Sequence, residues 1–292
     1  MADADTYTFG DNDLAAERLR ILARAFEPTS RAFLTDVWQR RRSTAADAGY
    51  SAAHAVDLGC GPGYTTHLLR AVVASRVTTG IDRSPRFLAR AQLWQSPSLR
   101  FVQHDVTAAP FPVDDADFLY ARFLLTHLSD PAAVLRGWAR MAAPGADLLL
   151  EETARMTSSH PTLARYYALV AALQRAHGQD MIVGRSLHHL AAGTGWRVQE
   201  SRLVSALVPA RLMARIHVMN LRTWKHDEVA SRICDGDALD ALDGALERLA
   251  CGNDGAPPVD CQLGQLWLRR GPAAVDRPRP DDAAGIVARP DG

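Results

Sequence analysis

"VDLGCGPGYTTHLLR", residues 56–70, sets three glycines and a proline between an apolar run and a segment with helical spacing. Glycine loses more backbone freedom on folding than any other residue, so such a cluster marks a loop that turns sharply or approaches something closely. Gly59, Gly61 and Gly63 close the strand "HAVDLG" (54–59) and open the helix "YTTHLLRAVVAS". Backbone N–H groups at a helix start of this kind meet the polar groups of a ligand.

The same strand–loop–helix unit recurs downstream. "RVTTGID" (76–82) reads as a second strand, Ser84-Pro85 opens a helix, and "LRFVQHD" (99–105) is a third strand. "FLYARFLLTHL" supplies a fourth, "DPAAVLRGWARMA" a helix with Asp130 as N-cap and Pro131 at its first position, and "ADLLLEET" a fifth. Strands alternating with helices call for a parallel sheet covered on both faces, whose ligands lie at the carboxyl ends of the strands. That rule ranks Asp57 to Gly63, Asp82, Asp105, Arg122 and Glu151-Glu152 above the other polar residues as site candidates.

Upstream, "DLAAERLRILARAFEPTSRAFLTDVWQRRR" has apolar residues at helical spacing and predicts two helices separated near Pro28. Downstream, residues 160–178 and "RSLHHLAAGTGW" read as helices, "RVQESRLVSALV" as a sixth strand, and Pro209 to Ala250 as a second helical insertion before the final strand "VDCQLGQLWLRRG". The chain is thus expected to be α/β, a mostly parallel seven-stranded sheet with helices on both faces. Residues 1–50 form an N-terminal helical segment, residues 51–271 the ligand-binding domain with helical insertions at about 154–192 and 209–250, and residues 272–292 a disordered tail rich in Pro, Asp and Ala.

Composition narrows the function. Lys plus Arg equals Asp plus Glu at 33 each, so no overall basic field draws the chain to nucleic acid or to an anionic membrane. No apolar run approaches the ~18–20 residues that span a bilayer. Cys60, Cys234, Cys251 and Cys261 form no CxxC pair, and a soluble protein of the reducing cytoplasm is the expectation. Lys225 is the only lysine, which leaves Schiff-base chemistry a single candidate. His188-His189 lacks metal-ligand spacing and reads as helix surface, no carboxylate cluster suggests magnesium, and no metal is expected.

Three features restrict the ligand. A dinucleotide fingerprint wants GxGxxG, whereas position 64 is Tyr64, and Pro62 lacks an N–H that a pyrophosphate would use. Asp57, just ahead of the glycines, repels a pyrophosphate and suits a cation such as an ammonium close to a sulfonium. Asp82 ends the second strand where a carboxylate accepts both ribose hydroxyls, and Asp105 ends the third, where it can accept from an adenine amino group.

"VDLGCGPGYTTHLL", "GIDRSP" and "FVQHDVTAAPFPVDDADFLYARFLLTHLSDPAAVLRGWARMAAPGADLLLEE" together resemble the class I S-adenosylmethionine-dependent methyltransferases, in the group acting on small molecules, over roughly residues 50–153 and the end strand. The resemblance implies a Rossmann-like methyltransferase fold, S-adenosylmethionine as cofactor and S-adenosylhomocysteine as product. It assigns the methionine part to Asp57, Gly59, Gly61 and Gly63, the ribose to Asp82 with Arg83 beside it, and the adenine to Asp105 and Val106. Arg122 lies where the family's chain passes the cofactor, and the resemblance makes residues 1–50 an N-terminal helical lid in which Tyr7 closes over it. His127 is the first candidate base and Glu152 the second.

The expected reaction is methyl transfer to O, N or C of a small, aromatic or natural-product substrate of secondary metabolism. The alternatives are a cyclisation or rearrangement with the cofactor bound but not consumed, a nicotinamide-dependent oxidoreductase, and a non-catalytic binding protein. Tyr166 or Tyr167 is expected to line the substrate pocket, together with apolar residues such as Leu163, Leu169, Met181, Leu212, Met213, Ile216 and Met219. No nucleic-acid or membrane partner is expected, and a homo-oligomer is left open.

Overall fold

The computed structural model describes residues 11–44, 51–252 and 255–271. Seven strands form one sheet: β1 (His54–Leu58), β2 (Val77–Asp82), β3 (Leu99–Gln103), β4 (Ala116–Arg122), β5 (Ala142–Thr157), β6 (Trp196–Val208) and β7 (Val259–Arg270). Their order is β3-β2-β1-β4-β5-β7-β6. All neighbours run parallel except β7, which is antiparallel to both β5 and β6. The chain winds one way through β1, β2 and β3 and the other through β4 and β5, so the crevice for a ligand opens at the carboxyl ends of β1 and β4.

Local chemistry places the helices. Gly63 caps α2 (Tyr64–Val73) in the left-handed region at φ 89°, which a residue with a Cβ avoids. The Ser84 hydroxyl accepts from the Phe87 N–H at 3.1 Å to start α3 (Pro85–Ala91), and Asp130 accepts from Ala133 N–H at 2.9 Å to start α4 (Pro131–Met141). Between β5 and β6 lie α5 (Pro161–Ala176) and α6 (Leu187–Leu190). Between β6 and β7 lie α7 (Ala210–Trp224), α8 (Glu228–Ile233) and α9 (Gly236–Cys251).

Two elements differ from expectation. The two N-terminal helices are one, α1 (Asp13–Thr44), running through Pro28. Pro28 removes one backbone hydrogen bond, yet Phe26 before it and Phe33, Leu34 and Val37 after it are all buried, and that packing holds the helix continuous. β5 does not stop near residue 153 but continues to Thr157, because β7 pairs with it as far as Asp260; the first insertion therefore starts later than 154. Tyr7 and the tail 272–292 lie outside the described residues.

The sheet is packed on both faces. One face sets Val56, Leu119, Leu148 and Leu150 against Trp138, and the other sets Phe118, Tyr120 and Leu149 against Phe33, Leu34 and Val37 of α1. A third cluster joins α5, α7 and α9 to the extended ends of the strands through Leu163, Met213, Leu221, Leu246 and Leu263. No described helix is long and apolar enough to cross a membrane.

The turn at Val183–Arg185 crosses the sheet at close range. A Cβ on Gly264 of β7 would overlap the Gly184 carbonyl, and one on Gly184 would overlap the Glu152 carbonyl. Both neighbours are backbone and cannot swing away. Gly264→Ala is therefore expected to lower unfolding free energy by about 1–3 kcal/mol, read as a reduced midpoint in urea with little change in slope.

Candidate active site

A cavity of about 720 Å3 lies between the carboxyl ends of the strands and the helices α1, α5 and α7. Its walls divide by chemistry. One half is lined by Gly59, Gly61, Asp82, Arg83, Asp105 and Val106, the other by Phe26, Tyr166, Val170, Met213, Ile216 and His217. Arg122 and His127 line it as well.

The first half holds most of the residues assigned to a cofactor. Gly59 and Gly61 adopt φ of 69° and 53°, so the loop turns in a conformation that side chains rarely take. Asp82 secures that turn. Its Oδ2 accepts from Gly61 N–H at 2.7 Å and its Oδ1 from Ser84 N–H at 2.8 Å, tying the glycine loop to the start of α3. Burial raises the Asp82 pKa, and those two N–H groups together with Arg83 oppose the rise. Asp105 accepts from the N–H and hydroxyl of Thr107 through Oδ1, and the Val106 carbonyl accepts from Trp138 Nε1 at 2.9 Å. Both are thereby fixed at the edge of the cavity.

Two expected residues stand behind the wall. Asp57 is fully buried and does not line the cavity; its Oδ2 accepts the hydroxyls of Thr65 and Thr66, each at 2.7 Å. Burial lifts its pKa to about 6 against those two bonds. Asp57 therefore anchors the first turn of α2 rather than cradling the ligand directly. Gly63 is likewise behind the surface, where a Cβ would press on the Phe101 ring.

Glu152 does not fit the role of a base. Its Oε1 accepts from Leu124 N–H and Leu125 N–H, both at 2.7 Å, it lies outside the cavity lining, and burial raises its pKa to about 8. A protonated carboxyl that holds the backbone after β4 is a structural group. It fixes the segment carrying Phe123, Leu124 and His127, and Phe123 there takes φ 54°, a strained conformation for an aromatic residue. Next to it, Glu151 accepts from Ser30 Oγ at 2.5 Å and Gln265 Nε2 at 2.6 Å, while Arg122 Nη1 donates to the same Ser30 oxygen at 2.9 Å.

His127 stays on the cavity wall. Burial, with the charges of Arg18 and Arg83, pushes its pKa down to about 3, so the imidazole is neutral at ordinary pH. Cys60 also lines the cavity, but burial raises its thiol pKa and leaves it a poor nucleophile.

The helical half contains residues that the sequence reading passed over: Arg18, Phe26, Gln174, His217 and Asn220. Of the tyrosine pair, Tyr166 lines the cavity, while Tyr167 packs in the core with its hydroxyl 3.1 Å from His217 Nε2. Met181, Met213 and Ile216 line it as expected, whereas Leu163 and Met219 are buried in the helical core. His188 and His189 are exposed on α6.

A family model described as "Methyltransferase domain" matches residues 17–201, more than half of the chain. The chain belongs to the methyltransferase-domain family. Curated relatives include a trans-aconitate 2-methyltransferase of Delftia acidovorans, 32% identical over 151 residues (49% of this chain, 56% of that protein), and one of Paracidovorax citrulli, 36% identical over 115 residues (39% and 44%). The chain spans about half the length of these relatives. A solved Bacillus halodurans C-125 protein, described as a candidate methyltransferase, is 14% identical with a TM-score of 0.51 over 80% of this chain and 98% of its own, a likeness of fold alone.

The cofactor is S-adenosylmethionine, and the cavity suits it: two strand-end carboxylates, Asp82 and Asp105, stand on the wall at the ends of neighbouring strands, and no loop atom there offers the consecutive N–H groups of a phosphate cradle, Gly61 N–H being taken by Asp82. Asp82→Ala removes a carboxylate from the cavity wall and the tie on Gly61. Cofactor affinity measured by calorimetry is expected to fall by about 1.5–3 kcal/mol.

Glu152→Gln tests the protonated carboxyl. Below about pH 4.5 the wild-type group is protonated in both folded and unfolded chains; from there to about pH 8 only the unfolded chain loses the proton, so stability falls as pH rises through that window. The variant lacks this loss. Its stability relative to wild type is expected to grow from near zero at pH 4.5 to on the order of a few kcal/mol at pH 8.5, read from urea midpoints.

Proposed function

We propose that the protein transfers the methyl group of S-adenosylmethionine to O, N or C of a small substrate with an apolar, ring-bearing body, held in the helical half of the cavity. One observation carries this reading: a single cavity joins the strand-end carboxylates to a mostly apolar chamber of size for a small molecule. The bound cofactor supplies an already activated methyl on a sulfonium. The chain's residues need only position the nucleophile, exclude water and accept a proton where one must leave.

Asp82 and Asp105 hold the nucleoside end, and the glycine loop closes behind it. Phe26 and Phe123, with ring centroids 5.2 Å apart, wall the passage between the two halves. His127, neutral at ordinary pH, accepts a hydrogen bond from the attacking O–H or N–H. Because its pKa lies near 3, its titration leaves no limb near pH 6.5 in the pH dependence of kcat.

Trans-aconitate, the acceptor named for the relatives, is the first substrate to assay, beside ring-bearing phenols, indoles and acids. The expected result is equimolar S-adenosylhomocysteine and methylated product. Product without S-adenosylhomocysteine would instead support the cyclisation or rearrangement reading, and binding of NAD with none of S-adenosylmethionine would overturn both.

A further inference from the structure

The helical half of the cavity has buried polar side chains that the methyl transfer itself does not use. Gln174 of α5 and His217 and Asn220 of α7 line it and are 2%, 4% and 7% exposed. Three of their atoms, Gln174 Oε1, Asn220 Oδ1 and His217 Nδ1, have no hydrogen-bond partner among the described residues. Two of the three are amide oxygens, which accept and cannot donate. Buried polar atoms are nearly always paired, because an unpaired one loses its hydration and gains nothing in return. Three such atoms on one wall of an otherwise apolar chamber point to a ligand that satisfies them.

Hydrogen bonding around the wall says what that ligand carries. The Tyr167 hydroxyl lies 3.1 Å from His217 Nε2, and burial raises its pKa, so it keeps its proton and donates it to that nitrogen. The imidazole's own proton then sits on Nδ1, which is a donor. The wall therefore asks for two hydrogens and offers one. Burial, with the charge of Arg18, pushes the His217 pKa down to about 3, so the ring adds no charge. Arg18 has a partner of its own, and its charge is felt at Tyr166 and His217. Among the described residues, the carboxylates that line the cavity, Asp11, Asp82 and Asp105, belong to the cofactor half, where Asp11 accepts from Ser84 Oγ beside Asp82. A carboxylate ligand would bring no hydrogen to either amide oxygen. An ammonium would bring hydrogens, but its charge would be buried near that of Arg18 with no carboxylate to match it. A hydroxyl donates, accepts and carries no charge.

We propose that the helical half binds an uncharged, hydroxyl-bearing substrate, an alcohol or phenol that donates to Gln174 Oε1 and Asn220 Oδ1 and accepts from His217 Nδ1–H, with its ring-bearing body along Phe26, Val170 and Met213. The inference rests on the methyltransferase reading above and gives its substrate class. Tyr166, stacked on His217 with ring centroids 4.2 Å apart, holds the imidazole in place. The two amides turn about their last side-chain torsion, which is soft, to bring their oxygens onto the hydroxyl. A tricarboxylate such as trans-aconitate has no hydrogen for those oxygens and would bury its charges against apolar walls.

The test uses the full chain saturated with S-adenosylhomocysteine, so that the cofactor half is filled before any probe is added. Calorimetry compares 2-naphthol with its methyl ether, which lacks the hydrogen, with 2-naphthoate and 2-naphthylmethylammonium, which carry a charge on the same ring system, and with trans-aconitate. The expected result is that 2-naphthol binds at least about tenfold tighter than each of the others. In Gln174→Met and Asn220→Leu its preference over the ether shrinks toward unity, with S-adenosylhomocysteine affinity reporting that the variants are folded. Naphthol and ether binding alike, or no binding of naphthol, overturns the hydroxyl site. Tighter binding of an anion or of the ammonium overturns the uncharged substrate. A preference that survives both substitutions overturns the part given to the two amides. Failure of S-adenosylhomocysteine to bind wild type would instead overturn the methyltransferase reading.

Discussion

The Asp82 carboxylate sits at the end of β2 and accepts from two backbone N–H groups that belong to different loops, Gly61 in the glycine turn and Ser84 at the cap of α3. One side chain thus sets the separation of two loops that form the floor of the cavity. Asp57 does the same one layer deeper, gathering the Thr65 and Thr66 hydroxyls to fix the start of α2. Desolvation raises the pKa of both carboxylates, and each is held by hydrogen bonds that favour its charged form. The loop can be glycine-rich and still stationary because these carboxylates, not its own side chains, hold it.

A second pair of carboxyls organises the opposite side. Glu152 fixes the segment after β4 through two backbone bonds, and Glu151 joins α1 to β7 through Ser30 and Gln265. Since α1 also contributes Arg18 and Phe26 to the cavity, the Ser30–Glu151 bond bears on where those two side chains stand. The helix crosses the site as a continuous rod despite Pro28, which lets one element touch both the cofactor half and the chamber beyond it.

Much of the fold was legible in the chain. The parallel strands read as short apolar runs bounded by Gly, Pro and Asp, and the caps Ser84 and Asp130 announced α3 and α4 by chemistry that acts within three residues. What failed was long-range. Pro28 signalled a break, but burial of the flanking helix against the sheet outweighs one lost backbone bond, and β5 runs past its expected end because β7 pairs with it. Asp57 does stand near the end of β1, whereas Glu152 lies inside the longer β5, and in neither case does alternation along a strand reveal whether the residue faces the cavity or the layer behind it. Arg18, Gln174, His217 and Asn220 sit on amphipathic helices where a polar residue ordinarily reads as surface; only the packing of α1, α5 and α7 around one space brings them together.

In the proposed complex, the carboxylate floor at Asp82 and Asp105 holds the nucleoside end of the cofactor while its sulfur faces the chamber enclosed by α1, α5 and α7. A crystal structure with S-adenosylhomocysteine tests it directly. The expected result is ribose hydroxyls on Asp82, the adenine against Asp105 and Val106, and the sulfur turned toward His127 and the helical half. Adenosine lodged among Tyr166, Gln174 and His217, or a sulfur directed away from that chamber, would contradict it.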